Sequence, residues 1–195
     1  RRDSALDEPP GADAICGPRS DAQLTPHHST GRLAPENAFK GICRVTSQPT
    51  DRNKNYALKI ERDVDVPMRD GAVLKADVFR PDDGGKFPAI LNLGPYQKDK
   101  LWIPPPTLGE PATENMNWET VTPEWWIPRG YASVRVDGRG SGRSAGQCDP
   151  WSRGESVDYY DAIEWAAAQP WCNGKVGLLG ISYYAINQWF VANLN

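Results

Sequence analysis

The stretch Gly174-Lys-Val-Gly-Leu-Leu-Gly-Ile-Ser-Tyr-Tyr-Ala-Ile-Asn-Gln-Trp189 constrains this chain more than any other. It reads as a buried strand, a sharp turn carrying Ser182, and a helix. A strand that turns so sharply into a helix brings the two elements close together, which only small side chains permit. Gly177, Gly180 and Ala185 around Ser182 meet that steric demand. Such a turn lifts a hydroxyl out of the backbone at the end of a sheet, where it can attack a carbonyl. The pattern matches only the first half of G-x-S-x-G, because Tyr184 stands where the second glycine would be. No histidine follows Ser182, so on this motif alone a structural serine is the better reading.

Upstream, the chain divides at about residue 55. Residues 1–55 carry Pro9, Pro10, Pro18, Pro26, Pro35 and Pro49 among scattered polar residues, with no sustained periodicity. That composition buries too little apolar surface to fold alone and predicts an extended or disordered arm. Both histidines, His27 and His28, lie in it. From Tyr56 a pattern emerges. Val64, Val66 and Met68 alternate up to a two-residue turn at Asp70-Gly71, and Leu74, Ala76 and Val78 alternate after it, which predicts a β-hairpin. Pro88–Leu93 is a mostly apolar strand suited to a sheet interior. Residues 97–130 mix Trp102, Trp118, Trp125 and Trp126 with six prolines, a loop-rich segment with one short helix near Pro123–Ile127. Tyr131–Val136 is the next strand. Glu155–Gln169 is a helix with Val157, Tyr160, Ile163 and Ala167 on one face and Pro170 as its stop. Strands alternating with helices late in the chain predict a parallel α/β sheet.

Other features are weighed against plainer roles. Asp137-Gly-Arg-Gly-Ser-Gly-Arg-Ser-Ala-Gly146 has glycines at dinucleotide-fingerprint spacing, but Cys148, Asp149 and Pro150 follow where a helix should open. The turn reading is preferred, with Asp137 capping backbone amides and Arg139 pairing locally. Tyr96, just past the Pro88–Leu93 strand, is either a packed residue or a phenol aimed at an oxyanion. The tryptophans of 97–130 are either pocket lining or loop packing. Cys16, Cys43, Cys148 and Cys172 lack metal-ligand spacing, and reduced thiols are the plainer reading. Neither metal nor cofactor is expected. A net charge of −3 gives no basis for nucleic-acid or anionic-membrane binding. No apolar run reaches spanning length, and the lack of N-x-Ser/Thr sequons favours a cytoplasmic location.

Together, several segments resemble the cocaine esterase / Xaa-Pro dipeptidyl-peptidase branch of the α/β-hydrolases. They are Val66-Pro-Met-Arg-Asp-Gly71, Phe79-Arg-Pro81, Gly94-Pro-Tyr96, Arg129-Gly-Tyr-Ala132, the turn from Asp137 to Ser144, Gln169–Gly177, and the run from Gly180 through Trp189. The branch typically has G-x-S-Y-x-G/A, so Ala185 supplies the small residue. The resemblance implies the N-terminal half of an α/β-hydrolase fold over 56–195, an antiparallel hairpin leading into a parallel sheet with flanking helices, truncated after the nucleophile helix. It implies Ser182 as acylating nucleophile, Tyr96 as side-chain donor of an oxyanion hole and the Tyr183 backbone N–H as second donor. The implied substrate is a small ester or a short peptide. The triad Asp and His of this fold follow the nucleophile and have no counterparts here, so the chain alone is expected to be close to inactive. The alternatives are a catalytically dead hydrolase-like binding or interaction module and, last, a nucleotide-binding α/β domain.

Overall fold

A computed structural model describes residues 54–109 and 111–194. The arm expected over 1–55 lies outside the described residues save for Lys54 and Asn55, as do His27, His28, Cys16 and Cys43.

Five strands form one mixed sheet in the order β1-β2-β4-β3-β5. β1 (Leu58–Pro67) and β2 (Val73–Pro81) are the antiparallel hairpin, in the register Val66↔Leu74 and Val64↔Ala76. Its turn takes three residues rather than two. The Met68 N–H donates to the Ala72 carbonyl at 2.8 Å, leaving Arg69, Asp70 and Gly71 outside the ladder, with Gly71 at φ 88°. That left-handed geometry suits glycine. A register shift between Glu61 and Val64, with Asp63 at φ 54°, also interrupts the ladder. β3 (Phe87–Gly94) runs parallel to both β4 (Ala132–Asp137) and β5 (Cys172–Leu178), as the late strand–helix alternation predicts.

The two sheet faces differ because side chains alternate along each strand. Ala76, Val78, Leu91, Leu93, Val134 and Val136 belong to the main apolar core. Each fully buried aliphatic side chain there stabilises the fold by about 1.5–3 kcal/mol. Helix α2 (Arg153–Ala168) joins this core through Tyr159, Ala162 and Ala166, all fully buried. The buried stripe is therefore offset from the expected face, and Tyr160 is exposed with Arg69 over its ring. The small Ala162 and Ala166 let the helix approach the sheet closely. Tyr159 reaches across to donate to the Leu91 carbonyl at 3.3 Å.

Residues in the alternate positions, Asp77, Phe79, Asn92, Ser133 and Arg135, are also buried. Among them Arg135 donates to the Val121 carbonyl at 2.8 Å, so the 97–130 segment reaches this polar set. That segment contains a one-turn helix, α1 (Pro123–Trp126), continued by a 3-10 turn over Ile127–Arg129. Arg135 stands 4.7 Å from the Phe79 ring centre, and burial, followed by the charge of Arg62, pushes its pKa down to about 10.

Helix α3 (Tyr183–Ala192) follows β5. The strand before Ser182 is present, at the edge of the described sheet. β5 pairs with β3 alone among the described strands, and Lys175 and Gly177 are exposed. No helix among the described residues is long and apolar enough to cross a membrane.

Candidate active site

β3, β4 and β5 are parallel, so their carboxyl ends open on one side, where the residues singled out by the sequence lie. Ser182 follows β5 with φ 51° and ψ −117°, a backbone state that costs a non-glycine residue about 1–3 kcal/mol unless its surroundings enforce it. The enforcing contacts are visible. The Ser182 carbonyl accepts from the N–H groups of Ala185 at 3.0 Å and Ile186 at 2.9 Å, which closes the first turn of α3. Asn187 donates to the Leu93 carbonyl at 2.8 Å and pins α3 to β3. The Asn92 amide donates to the Leu179 carbonyl and holds the strand end.

Glycines make room for the turn. A side chain on Gly180 would overlap Cβ of Tyr184, and one on Gly94 would come 2.6 Å from its Cε1. Tyr184 therefore lies over Gly94 and against Gly180, which explains how it occupies the place of a second motif glycine. Ser182 is exposed, and its hydroxyl has no hydrogen-bond partner among the described residues.

Tyr96 lies in the loop after β3. Its ring meets those of Tyr183 and Tyr184 edge-on, with centroids 5.8 Å and 5.4 Å away. Tyr96 thus packs against the two residues that follow Ser182. The loop is tied down two residues later, where the Lys98 N–H donates to Asp137 at 2.7 Å. The Lys98 ammonium is buried between Asp63 at 2.7 Å and Asp77 at 2.9 Å. Burial pulls its pKa down, but these carboxylates outweigh that and hold it above the ordinary lysine value.

The glycine-rich turn after β4 closes on Asp137. That carboxylate is fully buried and also accepts from the Arg143 N–H at 2.7 Å. Burial pushes its pKa up against the pull of the two amides. Gly142, at φ 50°, lies so close that any side chain there would overlap the carboxylate. The amide-capping role expected of Asp137 is present. Arg139 departs from expectation, because its partners are Asp158 at 2.7 Å on α2 and Asp70 at 2.9 Å in the hairpin turn. It ties three segments together rather than pairing locally.

Tyr183, the first residue of α3, is buried. Its hydroxyl donates to Glu155 Oε1, and its ring stacks on Trp151 at 5.4 Å with 23° between the planes. Glu155 Oε2 accepts from the Trp151 N–H at 2.8 Å, while the Glu155 N–H donates to the α2 N-cap Ser152 at 3.0 Å. Burial pushes up the pKa of Glu155, and burial together with this carboxylate pushes up that of the Tyr183 phenol.

Two cavities flank Pro95. One, of about 440 Å³, is lined by Tyr96, Gln97, Lys100, Leu101, Trp102 and Trp118 as well as Pro95. The other, of about 370 Å³, is bordered by Gly138, Arg139, Cys148 and Glu155 among others. The four tryptophans of 97–130 therefore divide. Trp102 and Trp118 line a cavity, 5.1 Å apart, whereas Trp125 and Trp126 pack on each other and on Arg129 and Tyr131. Cys148 and Cys172 are free thiols.

Ser182, Tyr96 and Tyr183 thus share one end of the sheet. Residues that the motif reading passed over are Glu155, Trp151, Asn187 and Lys98. For Glu155 a signal existed, since Ser152-Arg-Gly-Glu155 is a capping-box pattern at a helix start. Its bond to Tyr183, 28 residues on, has no local signature.

Comparison with known proteins agrees with this architecture. The model of the X-Pro dipeptidyl-peptidase (S15 family) matches residues 70–195. The chain is 35% identical over 140 residues to cocaine esterase from Rhodococcus sp. (strain MB1 Bresler), covering 71% of this chain and 21% of that protein. It is 26% identical over 212 residues to Xaa-Pro dipeptidyl-peptidase from Lactobacillus helveticus (strain DPC 4571), covering 80% of this chain and 27% of the relative. A crystal structure of a CocE/NonD family hydrolase from Staphylococcus aureus superposes with a TM-score of 0.65 at 44% identity, covering 71% of this chain and 26% of that one. The chain thus spans about a quarter of the length of these relatives. With the sheet order, the turn at Ser182 and the family match over residues 70–195 in agreement, the chain belongs to the X-Pro dipeptidyl-peptidase (S15) family of hydrolases.

Proposed function

We propose that this chain carries the nucleophile and the oxyanion hole of a serine hydrolase acting on small esters or short peptides. The observation that carries the reading is the backbone of Ser182, held at φ 51° between a strand and a helix with its hydroxyl exposed. In this reading Ser182 Oγ attacks the substrate carbonyl carbon, and the leaving alcohol or amine departs to give an acyl-enzyme that water then hydrolyses. Charge that develops on the carbonyl oxygen is met by the Tyr96 hydroxyl and the Tyr183 N–H. The first N–H groups of a helix have no partner within it, so the Tyr183 N–H is free for that use. The Tyr96 hydroxyl has no hydrogen-bond partner among the described residues, which also suits a donor reserved for substrate. One such donor is worth roughly 10²–10³ in kcat.

Residues 56–195 in this reading form the N-terminal part of the hydrolase domain, and the cavity beside Tyr96, Trp102 and Trp118 receives an apolar part of the substrate. His27 and His28 are the only histidines in the sequence and lie outside the described residues, so no general base is assigned to a described residue. A fluorophosphonate probe tests the assignment. It labels the full-length protein and fails to label Ser182→Ala; labelling that survives the substitution refutes it.

A further inference from the structure

We propose that Glu155 is a positioning residue for the oxyanion hole, holding the Tyr183 ring so that the Tyr96 hydroxyl packed against it faces the substrate carbonyl. The inference rests on the reading of Ser182 as nucleophile and the Tyr96 hydroxyl as donor. Tyr183 is clamped on three sides. Its hydroxyl is bound by Glu155, one face of its ring stacks on Trp151, and the Tyr96 ring meets it edge-on at 5.8 Å. A rotation of the Tyr183 side chain about Cα–Cβ leaves its own N–H in place, because the peptide plane after Ser182 sets that N–H, but it would break the stack on Trp151. It would also remove the wall against which Tyr96 rests. One carboxylate therefore sets the phenolic donor through ring packing.

The arrangement is more than a helix cap. A capping box needs only the N-cap hydroxyl and a carboxylate returning to a nearby N–H, and Glu155 meets that need with Oε2 on Trp151. Its second oxygen reaches out of the helix to the residue after Ser182. Trp151, which supplies the stacking face, sits at φ 58°, an unfavourable state for a bulky residue that the bond from its N–H to Glu155 helps to hold. Both oxygens thus act on the same tyrosine, one through its hydroxyl and one through the ring beneath it. Glu155 is also partly buried, a costly placement for an acid that a cap alone does not require.

Steady-state kinetics with an ester substrate, on the full-length protein and well below its Tm, test this. Glu155→Ala is expected to lower kcat at least about tenfold while KM stays within about twofold, the signature of an interaction lost mainly in the transition state. Glu155→Gln is expected to recover most of the rate, because its amide can accept from Trp151 N–H and donate to the Tyr183 hydroxyl. Tyr183→Phe keeps the ring packing and is expected to show the same kcat loss, with the double variant Glu155→Ala/Tyr183→Phe no slower than the slower single one. If Glu155→Ala folds poorly, Tyr183→Phe with Glu155→Gln carries the test. The inference is overturned if kcat is unchanged in Glu155→Ala and Tyr183→Phe, if only KM moves, or if the loss follows Tm and is not recovered by Gln. Turnover that persists in Ser182→Ala overturns instead the nucleophile reading on which the inference stands.

Discussion

Asp137→Asn tests whether one buried carboxylate organises the loops around Ser182. The side chains are isosteric, so packing is conserved and only charge and hydrogen bonding change. In the wild type both oxygens accept backbone N–H groups, from Lys98 and Arg143, each at 2.7 Å. Asparagine has one acceptor, so its NH2 must face the other N–H, leaving a buried donor without a partner. Losing one charge-assisted bond in this way costs about 1.5–3 kcal/mol. Removing a buried charge acts in the opposite direction, because burial already pushes the Asp137 carboxyl up. The Lys98 ammonium keeps Asp63 and Asp77 as partners, so its own loss is small. The net expectation is a destabilisation of about 1–2 kcal/mol, or a factor of about 5–30 in the folding equilibrium. Urea denaturation measures it as a lower midpoint at unchanged slope. Because Lys98 lies two residues beyond Tyr96, ester turnover by the full-length protein should fall as well. A midpoint equal to or above that of the wild type refutes the reasoning, since it would mean that desolvation outweighs the two amide bonds.

Three further outcomes are expected. Tyr96→Phe removes a hydroxyl that has no hydrogen-bond partner among the described residues, so Tm should hardly move while kcat falls roughly 10²–10³-fold; equal kcat values would remove Tyr96 from the oxyanion hole. Gly180→Ala places a methyl group against Cβ of Tyr184 and forces α3 away from β5. It should cost about 1–3 kcal/mol and greatly slow fluorophosphonate labelling, and a crystal structure with α3 unmoved would contradict it. Asp161 on α2 accepts from Arg69 N, Nε and Nη2 at the hairpin turn. Burial pushes its carboxyl up, yet these donors outweigh burial and hold it below its ordinary 3.8. A depressed acid pKa contributes stability that is present above 3.8 and lost as pH falls through the folded value. Asp161→Asn should therefore be less stable than the wild type at neutral pH and converge with it in acid, as thermal melts across pH would reveal.

The strand–turn–helix at Ser182 was legible because its chemistry is local. Glycines at fixed offsets are needed where two elements approach closely, and Asp70-Gly71 announces the hairpin turn for a different local reason, the left-handed φ of 88° that Gly71 adopts. The α2 face was misplaced by one residue because its buried stripe contains Ala162 and Ala166, whose small side chains carry little hydrophobic signal beside Tyr160 and Ile163. The sequence suggests only local partners for Arg139, because residue order carries no sign of which distant segments will meet. Its true partners, Asp70 and Asp158, stand 69 and 19 residues away, in segments that only sheet assembly brings together.

By itself the sequence determined the order of elements, the parallel character of the later sheet and the position of Ser182 at its turn, all consequences of periodicity and small residues over short spans. Tertiary structure alone decided what surrounds that serine. Tyr96 comes to lie against Tyr183 because β3 and β5 are neighbours in the sheet although 77 residues lie between the end of β3 and the start of β5. The Glu155 carboxylate reaches Tyr183 because α2 packs beside α3. Local sequence sets backbone conformation within a few residues, whereas the approach of groups from distant segments is settled only when the sheet and its helices pack.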